Sequence, residues 1–129
     1  MTYVIEVHGV PGPQGSKRHV GGGRMIEASK KVKPWREAVK WAILEQKLAP
    51  LGDVPLVVNI VFRFQKPKTV KRKYPTTRRN GDLDKLERAT HDAIEDSGLI
   101  DDDSQIVEHY GRKVYGEPIG CTIQIAELR

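Results

Sequence analysis

The stretch from residue 54 to 65 constrains the fold of this chain more than any other, because apolar side chains alternate along it. The apolar residues of one side are Leu56, Val58, Ile60, Phe62 and Phe64. Val57 and Val61 leave the other side partly apolar as well. A period of two is the period of a β-strand, in which successive side chains point to opposite faces of the sheet. The stretch therefore predicts a strand with apolar contacts on both faces.

Weaker patterns on either side of this strand predict a small α+β domain. Val and Ile are frequent in residues 3–10, before a Pro-Gly-Pro turn, which indicates a strand. Apolar residues at three- and four-residue spacing indicate helices, and the other predicted elements are helices over 31–48 and 83–97 and strands over 105–115 and 119–126. The order strand-helix-strand-helix-strand-strand favours a small mixed β-sheet with two main helices packed on it. We expect one domain that covers residues 1–129.

Basic residues concentrate in two segments without apolar periodicity. Residues 11–28 hold five glycines and little apolar surface, so we expect a mobile basic Gly-rich loop. Residues 65–80 predict a second basic loop, since residues 63–79 carry eight Lys or Arg and no Asp or Glu. Such a surface attracts a polyanion, and the candidate DNA-binding residues are Lys17, Arg18, Arg24, Lys66, Lys68, Lys71, Arg72, Lys73, Arg78, Arg79 and Lys85.

Acidic residues concentrate directly after the second basic loop. Ten of the seventeen Asp and Glu residues lie between residues 82 and 108. Asp82 and Asp84 stand at the start of the second predicted helix, and residues 101–103, all Asp, follow its end. Mg²⁺ prefers oxygen ligands and takes a few carboxylates plus phosphate oxygens, so the two clusters would form a metal site if the fold brings them together. A phosphate-attracting surface beside a metal site is the combination that a nuclease needs.

Each acidic cluster also has a simpler interpretation. Asp82 follows Asn-Gly and precedes an apolar-periodic stretch, which suits a helix N-cap. Short acidic runs such as residues 101–103 usually form solvated turns. The chain would then be a non-catalytic nucleic-acid-binding module, and the sequence leaves this alternative open. A nuclease that acts mainly on forks, flaps or RNA is a second alternative, because the same metal chemistry attacks either backbone.

Spacing excludes several other kinds of site. Residues 101–106 lack the glycine at the sixth position of an EF-hand loop, and residues 12–17 do not have the spacing of a P-loop. The four histidines and single cysteine have no zinc-site spacing. Cys121 suits a small core residue in a reducing compartment. Because no charged N-terminal segment precedes an apolar one, and no long apolar run occurs, we expect a cytoplasmic protein without membrane association.

Two stretches carry a resemblance to a known family. Residues 79–94 read Arg-Asn-Gly-Asp-Leu-Asp-Lys-Leu-Glu-Arg-Ala-Thr-His-Asp-Ala-Ile, and residues 98–106 read Gly-Leu-Ile-Asp-Asp-Asp-Ser-Gln-Ile. This order resembles the signature of the RusA family of Holliday junction resolvases: Asp-x-Asp-Asn, a Lys, then Asp-Ala, and later Gly and Asp-Asp-x-Gln-Ile/Val. The resemblance is close over residues 79–106 and loose elsewhere. It implies a homodimeric Mg²⁺-dependent endonuclease, with Mn²⁺ as another usable metal, that cuts four-way DNA junctions by paired symmetrical nicks in recombination and repair.

The resemblance also implies roles for single residues. The positions that fall on the family's catalytic metal-binding aspartates are Asp82, Asp84 and Asp103, with Asp102 as a second-rank ligand. Arg88 falls where the family has a functional Lys, and Lys85 replaces the Asn after the second Asp. Arg stays protonated and binds phosphate as a planar fork, whereas Lys can also exchange a proton. Arg88 therefore fits a role in stabilising charge, but it does not fit a role in proton transfer. Lys85, one residue after Asp84, is the other candidate for that second role.

Overall fold

A computed structural model describes the backbone of residues 2–15, 17–20, 24–27 and 30–128, and the side chains of residues 2–15 and 30–128. The elements in chain order are β1 (Thr2–His8), β2 (Lys17–Val20), β3 (Arg24–Glu27), α1 (Val32–Glu45), β4 (Leu56–Phe64), α2 (Leu83–Asp96), a short 3₁₀ helix (Asp103–Gln105), β5 (Ile106–Tyr115) and β6 (Gly120–Glu127). Each of the six predicted elements is present, with ends that differ by at most three residues from the prediction.

The sheet is mixed, as the order of elements predicts. Four strands lie in the order β1-β6-β4-β5, and β2 and β3 form a separate two-stranded antiparallel pair. β6 pairs antiparallel with both β1 and β4, whereas β4 and β5 are parallel. Parallel neighbours need a long crossover connection. Here the crossover between β4 and β5 contains the second basic loop, α2 and the 3₁₀ helix, so it holds both acidic clusters.

Both helices cover the apolar face of the sheet. All five alternate residues of β4, from Leu56 to Phe64, are buried, whereas the residues between them are half-buried. Trp35 of α1 lies against Phe62, with 6.4 Å between ring centroids. The indole N–H of Trp35 donates to the Thr90 hydroxyl of α2 at 3.0 Å, and that hydroxyl donates to the carbonyl of Leu86 at 2.8 Å. The polar atoms between the helices are therefore satisfied inside the core.

One detail of the prediction changes. The segment from 11 to 28, expected to be a mobile loop, contains the paired strands β2 and β3. The low apolar content of this segment leaves no pattern that predicts strands. Antiparallel pairing satisfies the backbone hydrogen bonds of the two strands without a buried face. The mobility of this segment stays a prediction. Among the described residues, no helix is long and apolar enough to cross a bilayer.

Candidate active site

Asp82 lies at the N-cap position of α2, where the sequence places it. Its backbone is extended, and its carbonyl accepts the N–H of Leu86 at 3.0 Å. Its side chain makes no capping hydrogen bond to the helix. The N-cap interpretation is therefore correct for the backbone of Asp82, while the carboxylate points elsewhere. Among the residues with described side chains, Lys85 pairs with that carboxylate, with 3.8 Å between Oδ2 and Nζ.

The turn before Asp82 is held in place from two sides. Gly81 has a φ of +93°, a conformation that glycine adopts easily, and a Cβ at this position would lie 2.7 Å from Cγ of Pro13. Lys113 of β5 donates from Nζ to the carbonyl of Gly81 at 2.8 Å. The segment that contains Pro13 thus packs on the start of α2. Neither Pro13 nor Lys113 was a predicted site residue, because nothing local in the sequence connects them to Asp82.

Asp82 lines one cavity, and its neighbour Asp84 lines another. The Asp82 cavity, of about 320 Å³, also has Arg78 and Lys85 on its wall. The Asp84 cavity, of about 270 Å³, is lined by Asp84, Glu87, Arg88, His91, Asp103, Ile106 and His109. The structure therefore brings three of the predicted residues, Asp84, Arg88 and Asp103, to one cavity and places Asp82 in the other.

The loop that carries residues 101–103 is fixed by the side chain of Gln105. Its amide oxygen accepts the N–H groups of Asp101 at 2.8 Å and Asp102 at 3.0 Å. Its amide nitrogen donates to the carbonyls of Gly52 at 2.6 Å and Val54 at 3.0 Å. Gln105 is a buried polar residue, and these bonds satisfy it. The Gln of the acidic motif therefore positions the loop and does not face the cavity.

Asp102 uses its carboxylate within this loop. It caps the 3₁₀ helix by accepting the N–H of Ser104 at 2.9 Å. That hydrogen bond lowers the pKa of Asp102. The turn interpretation is thus supported for Asp102 but does not extend to Asp103, whose side chain lines the cavity with Asp84.

Crowded carboxylates surround Asp103. Its backbone N–H donates to Oε1 of Glu95 at 2.8 Å, and one carboxylate oxygen each of Glu95, Asp102 and Asp103 lies within 4.8 Å of the others. Burial raises the pKa of Asp103, and the adjacent Asp102 and the facing Asp92 raise it further. Burial likewise raises the pKa of Asp92, against the effect of Arg36. Such crowding is the electrostatic condition under which carboxylates gain from a bound cation.

Four residues at or near the site were not predicted to belong to it. Glu95 is seven residues after Arg88, on the same face of α2, and helical spacing from Asp84 could have indicated it. Glu87 was not predicted because a charged residue is seldom buried. In the structure Glu87 is buried, with 5% of its surface exposed. His91 and His109 lie on different elements and meet only in the fold, with ring centroids 5.7 Å apart. Burial, aided by His109, lowers the pKa of His91 to about 4.

The second basic loop surrounds a third cavity. This cavity, of about 560 Å³, is lined by Lys66, Lys68 and Arg79 among other residues, with Tyr115 on its wall. The remaining predicted DNA-binding residues of the loop are exposed at Lys71, Arg72, Lys73 and Arg78. Arg63, the first residue of the basic run, instead donates to Glu6 at 2.9 Å and to Thr122 at 2.6 Å on the sheet.

Three predicted DNA-binding residues lie on the β2–β3 pair. Lys17 and Arg18 belong to β2 and Arg24 belongs to β3. Their strand positions are described, and their side chains lie outside the described residues. Their contribution to a DNA surface therefore stays a prediction.

An α+β domain that presents an acidic cavity and a basic loop has the parts of a nuclease. Family comparison agrees with this class: the model of the family Endodeoxyribonuclease RusA matches residues 7–126. The chain therefore belongs to the RusA family of endodeoxyribonucleases, and membership implies resolution of Holliday junctions. No curated protein sequence matches the chain.

Proposed function

We propose that this chain is a Mg²⁺-dependent, structure-selective endodeoxyribonuclease that resolves Holliday junctions by paired symmetrical nicks. The observation that carries the proposal is the position of the family motif in the fold. Asp84 and Asp103, nineteen residues apart in sequence, line one cavity together with Arg88. A family match alone would leave open whether the acidic residues of this particular chain meet.

The carboxylates fit a hard divalent cation. Asp84 and Asp103 offer oxygen donors in one cavity, and the pKa of Asp103 is raised by burial and by neighbouring carboxylates. We propose Asp84 and Asp103 as the metal ligands of this cavity, and the family motif adds Asp82, which lines the neighbouring cavity, as the third ligand. Asp102 is a weaker ligand, because Ser104 already binds its carboxylate. A bound Mg²⁺ would polarise the scissile phosphate and acidify a water molecule. Mn²⁺ has the same oxygen preference and is expected to substitute for Mg²⁺.

The cationic residues divide into two roles. Arg88 is exposed on the wall of the Asp84 cavity and has no ion pair among the described residues, so its guanidinium is available to a phosphate. The ion pair with Asp84 or Asp92 that helical spacing allows is therefore not formed. The second basic loop and Lys85 would bind the DNA backbone, where contacts fix position without reading sequence.

The decisive test removes one negative charge at a time from the acidic cavity. We expect Asp84→Asn and Asp103→Asn to lower Mg²⁺-dependent nicking of a mobile four-way junction by at least about 10²-fold, because charge stabilisation by the metal is lost. Junction binding in EDTA should persist. Asp101→Asn is the matched control, because Asp101 belongs to the same acidic run but does not line the cavity. Full activity of the Asp103 variant would refute the metal assignment.

A second experiment separates the proposed substrate from the alternatives. A four-way junction, a fork, a flap, a linear duplex and an RNA duplex would be incubated side by side with Mg²⁺, with Mn²⁺ and with EDTA. Paired nicks in opposite strands of the junction, dependent on metal, are the expected result. Metal-independent binding without strand scission would instead identify a non-catalytic module, and preferential cutting of the fork, the flap or the RNA would redirect the assignment.

A further inference from the structure

A buried acid and an exposed histidine form a pair on the wall of the Asp84 cavity. The carboxylate of Glu87, on α2, is hydrogen-bonded to Nδ1 of His109, on β5. The Glu87 side chain is 6% exposed, whereas that of His109 is 58% exposed. A buried carboxylate is stable only with a partner, so the contact orients the imidazole as well as satisfying the acid.

The backbone of β5 leaves room for this carboxylate. A Cβ on Gly111 would lie 2.0 Å from Oε1 of Glu87, so any side chain at this position would displace the acid. Gly111 pairs with Ile60 in the parallel register of β4 and β5, where a larger residue would otherwise fit a strand. The slot over Gly111 therefore fixes the position of Glu87 and, through it, that of the His109 ring.

The pair leaves one ring nitrogen open. Because the Glu87 carboxylate accepts a hydrogen bond from Nδ1 of His109, the favoured tautomer of the ring carries its hydrogen on Nδ1. Nε2 of the ring then presents a lone pair. No hydrogen-bond partner of Nε2 occurs among the described residues. An imidazole with a carboxylate on one nitrogen and a free lone pair on the other is arranged to accept a proton, because the carboxylate stabilises the imidazolium that forms.

Arg88 shows why such a group would be useful in this chain. Arg88 occupies the same cavity, and a guanidinium does not exchange protons near neutral pH. We propose that His109, positioned by Glu87, is the general base of the phosphodiester hydrolysis and accepts a proton at Nε2 from the attacking water. This inference rests on the proposed nuclease function and adds a catalytic residue, His109, and a positioning residue, Glu87.

The bond changes balance with these groups. The O–H bond of the water breaks as its oxygen forms a bond to phosphorus, and the proton moves to Nε2 of His109. The bond from phosphorus to the 3′ oxygen breaks, and that oxygen takes a proton from solvent. The imidazolium then returns its proton to solvent, so no oxidant or other reactant is required. General-base catalysis of this kind contributes about 10²- to 10⁴-fold to a rate.

The titratable and charged groups that line the cavity with His109 come from two elements. α2 contributes Glu87, His91, Asp84 and Arg88, and the 3₁₀ helix contributes Asp103. His109 itself is the titratable residue that β5 adds to the cavity. The low pKa of His91, about 4, keeps that neighbour neutral near pH 7, so it does not oppose charge on His109.

The first experiment measures the pair without metal. In ¹⁵N-labelled protein, NMR spectra of the histidine rings should show His109 with hydrogen on Nδ1. Glu87→Leu, which removes the acceptor, and Gly111→Ala should abolish that tautomer preference, while His8→Ala, at an exposed position of β1, should leave it unchanged. Unchanged His109 signals in the Gly111 variant would overturn the positioning role of the slot. Calorimetry should give all variants the Mg²⁺ affinity of the wild type, and a loss of affinity would indicate a ligand and overturn the proposal.

The second experiment tests proton transfer by chemical rescue. His109→Ala should lower the rate of junction nicking by about 10²-fold or more and remain able to bind the junction. Added imidazole should restore part of the rate, and methylated imidazoles should restore it in the order of their basicity. His109→Gln fills the position and keeps a donor toward Glu87, so it should be slow and insensitive to imidazole.

The outcomes separate this inference from the proposed function. A wild-type protein that nicks no branched DNA would overturn the nuclease function, and the role of His109 would be overturned with it. A wild-type protein that nicks junctions, together with a His109→Gln variant of equal rate, would overturn the role of His109 alone. A slow His109→Ala variant that imidazole does not rescue would also overturn it, because a purely structural side chain gives that result.

Discussion

Arg88 falls where the motif that this chain resembles has a functional Lys. We expect Arg88→Lys to keep or raise the rate of junction nicking, because a compact ammonium at this position can still neutralise phosphate charge. Arg88→Ala should lower the rate by about 10²-fold, the usual cost of removing one group that stabilises transition-state charge. Arg112→Ala, at an exposed position of β5, is the matched control. An Arg88→Ala variant with full activity would reduce Arg88 to an ordinary surface residue.

His91 predicts how stability depends on pH. Burial lowers its pKa from 6.5 to about 4, so the folded state binds fewer protons than the unfolded state between these values. The contribution of neutral His91 to the free energy of unfolding is therefore fully present above pH 6.5 and is lost as the pH falls toward 4. Between pH 7 and pH 4.5, the wild type should lose about 2 kcal/mol more unfolding free energy than His91→Leu.

Urea unfolding monitored by circular dichroism at the two pH values measures this difference. His8→Leu serves as the control, since His8 is an exposed histidine on β1. Equal pH dependence in the wild type and in the His91 variant would show that the imidazole is not held neutral by the fold.

Single residues differ in how far the sequence determines their place. A sequence motif singles out Asp84 and Asp103 as candidate ligands, whereas their meeting at one cavity depends on the fold. The separate cavity that Asp82 lines could not be predicted from the sequence, since it depends on Pro13 packing against Gly81. The Glu87–His109 pair was also unpredictable, because it joins a helix to a strand and depends on the backbone space at Gly111.

At the scale of elements, the second basic loop carries the clearest electrostatic prediction. Lys71→Gln together with Lys73→Gln should weaken junction binding and reduce the slope of log affinity against log salt concentration by roughly one unit for each lost phosphate contact. Lys33→Gln together with Lys40→Gln, both on α1, removes the same charge elsewhere. Fluorescence anisotropy in EDTA over a range of salt concentrations measures both. Identical slopes for the two double variants would place the DNA away from the loop.

Elements with strong periodicity were predictable, and elements without it were not. β4 and α2 follow from alternation and from a buried stripe, since those periods reflect which face packs on the core. β2 and β3 do not, because pairing between two short polar strands leaves no such period. The ends of α1 also moved, from the predicted 31–48 to Val32–Glu45, because the apolar pattern runs past the last helical turn.

At the scale of the whole molecule, symmetrical cutting predicts two active sites in one particle. Sedimentation velocity should give a species of twice 14.5 kDa, or 29 kDa. A cruciform in supercoiled plasmid should be linearised by the wild type, because both sites cut within one encounter. Mixtures with an excess of Asp103→Asn subunits should yield nicked circles instead. A 14.5 kDa species that linearises the plasmid would contradict the homodimer.

Overall topology was predictable to the level of class, and its details depended on pairing. The order of elements implied a mixed sheet with two helices, and that arrangement is present. The parallel register of β4 and β5 could not be predicted from the sequence, since registers are fixed by contacts between residues far apart in the chain. The pairing of β5 with β4 places β5 and the 3₁₀ helix in contact with α2.

The position of β5 at the edge of the sheet has a consequence for how the protein would lose activity. An edge strand has backbone partners on one side only, so its amide hydrogens should exchange with deuterium sooner than those of β4 and β6. Transient opening of β5 would carry His109 away and release the chain that follows Asp103, while β1, β6 and β4 remain paired. Mild heating would then inactivate the protein before it unfolds, and deuterium uptake in β5 would follow the loss of nicking.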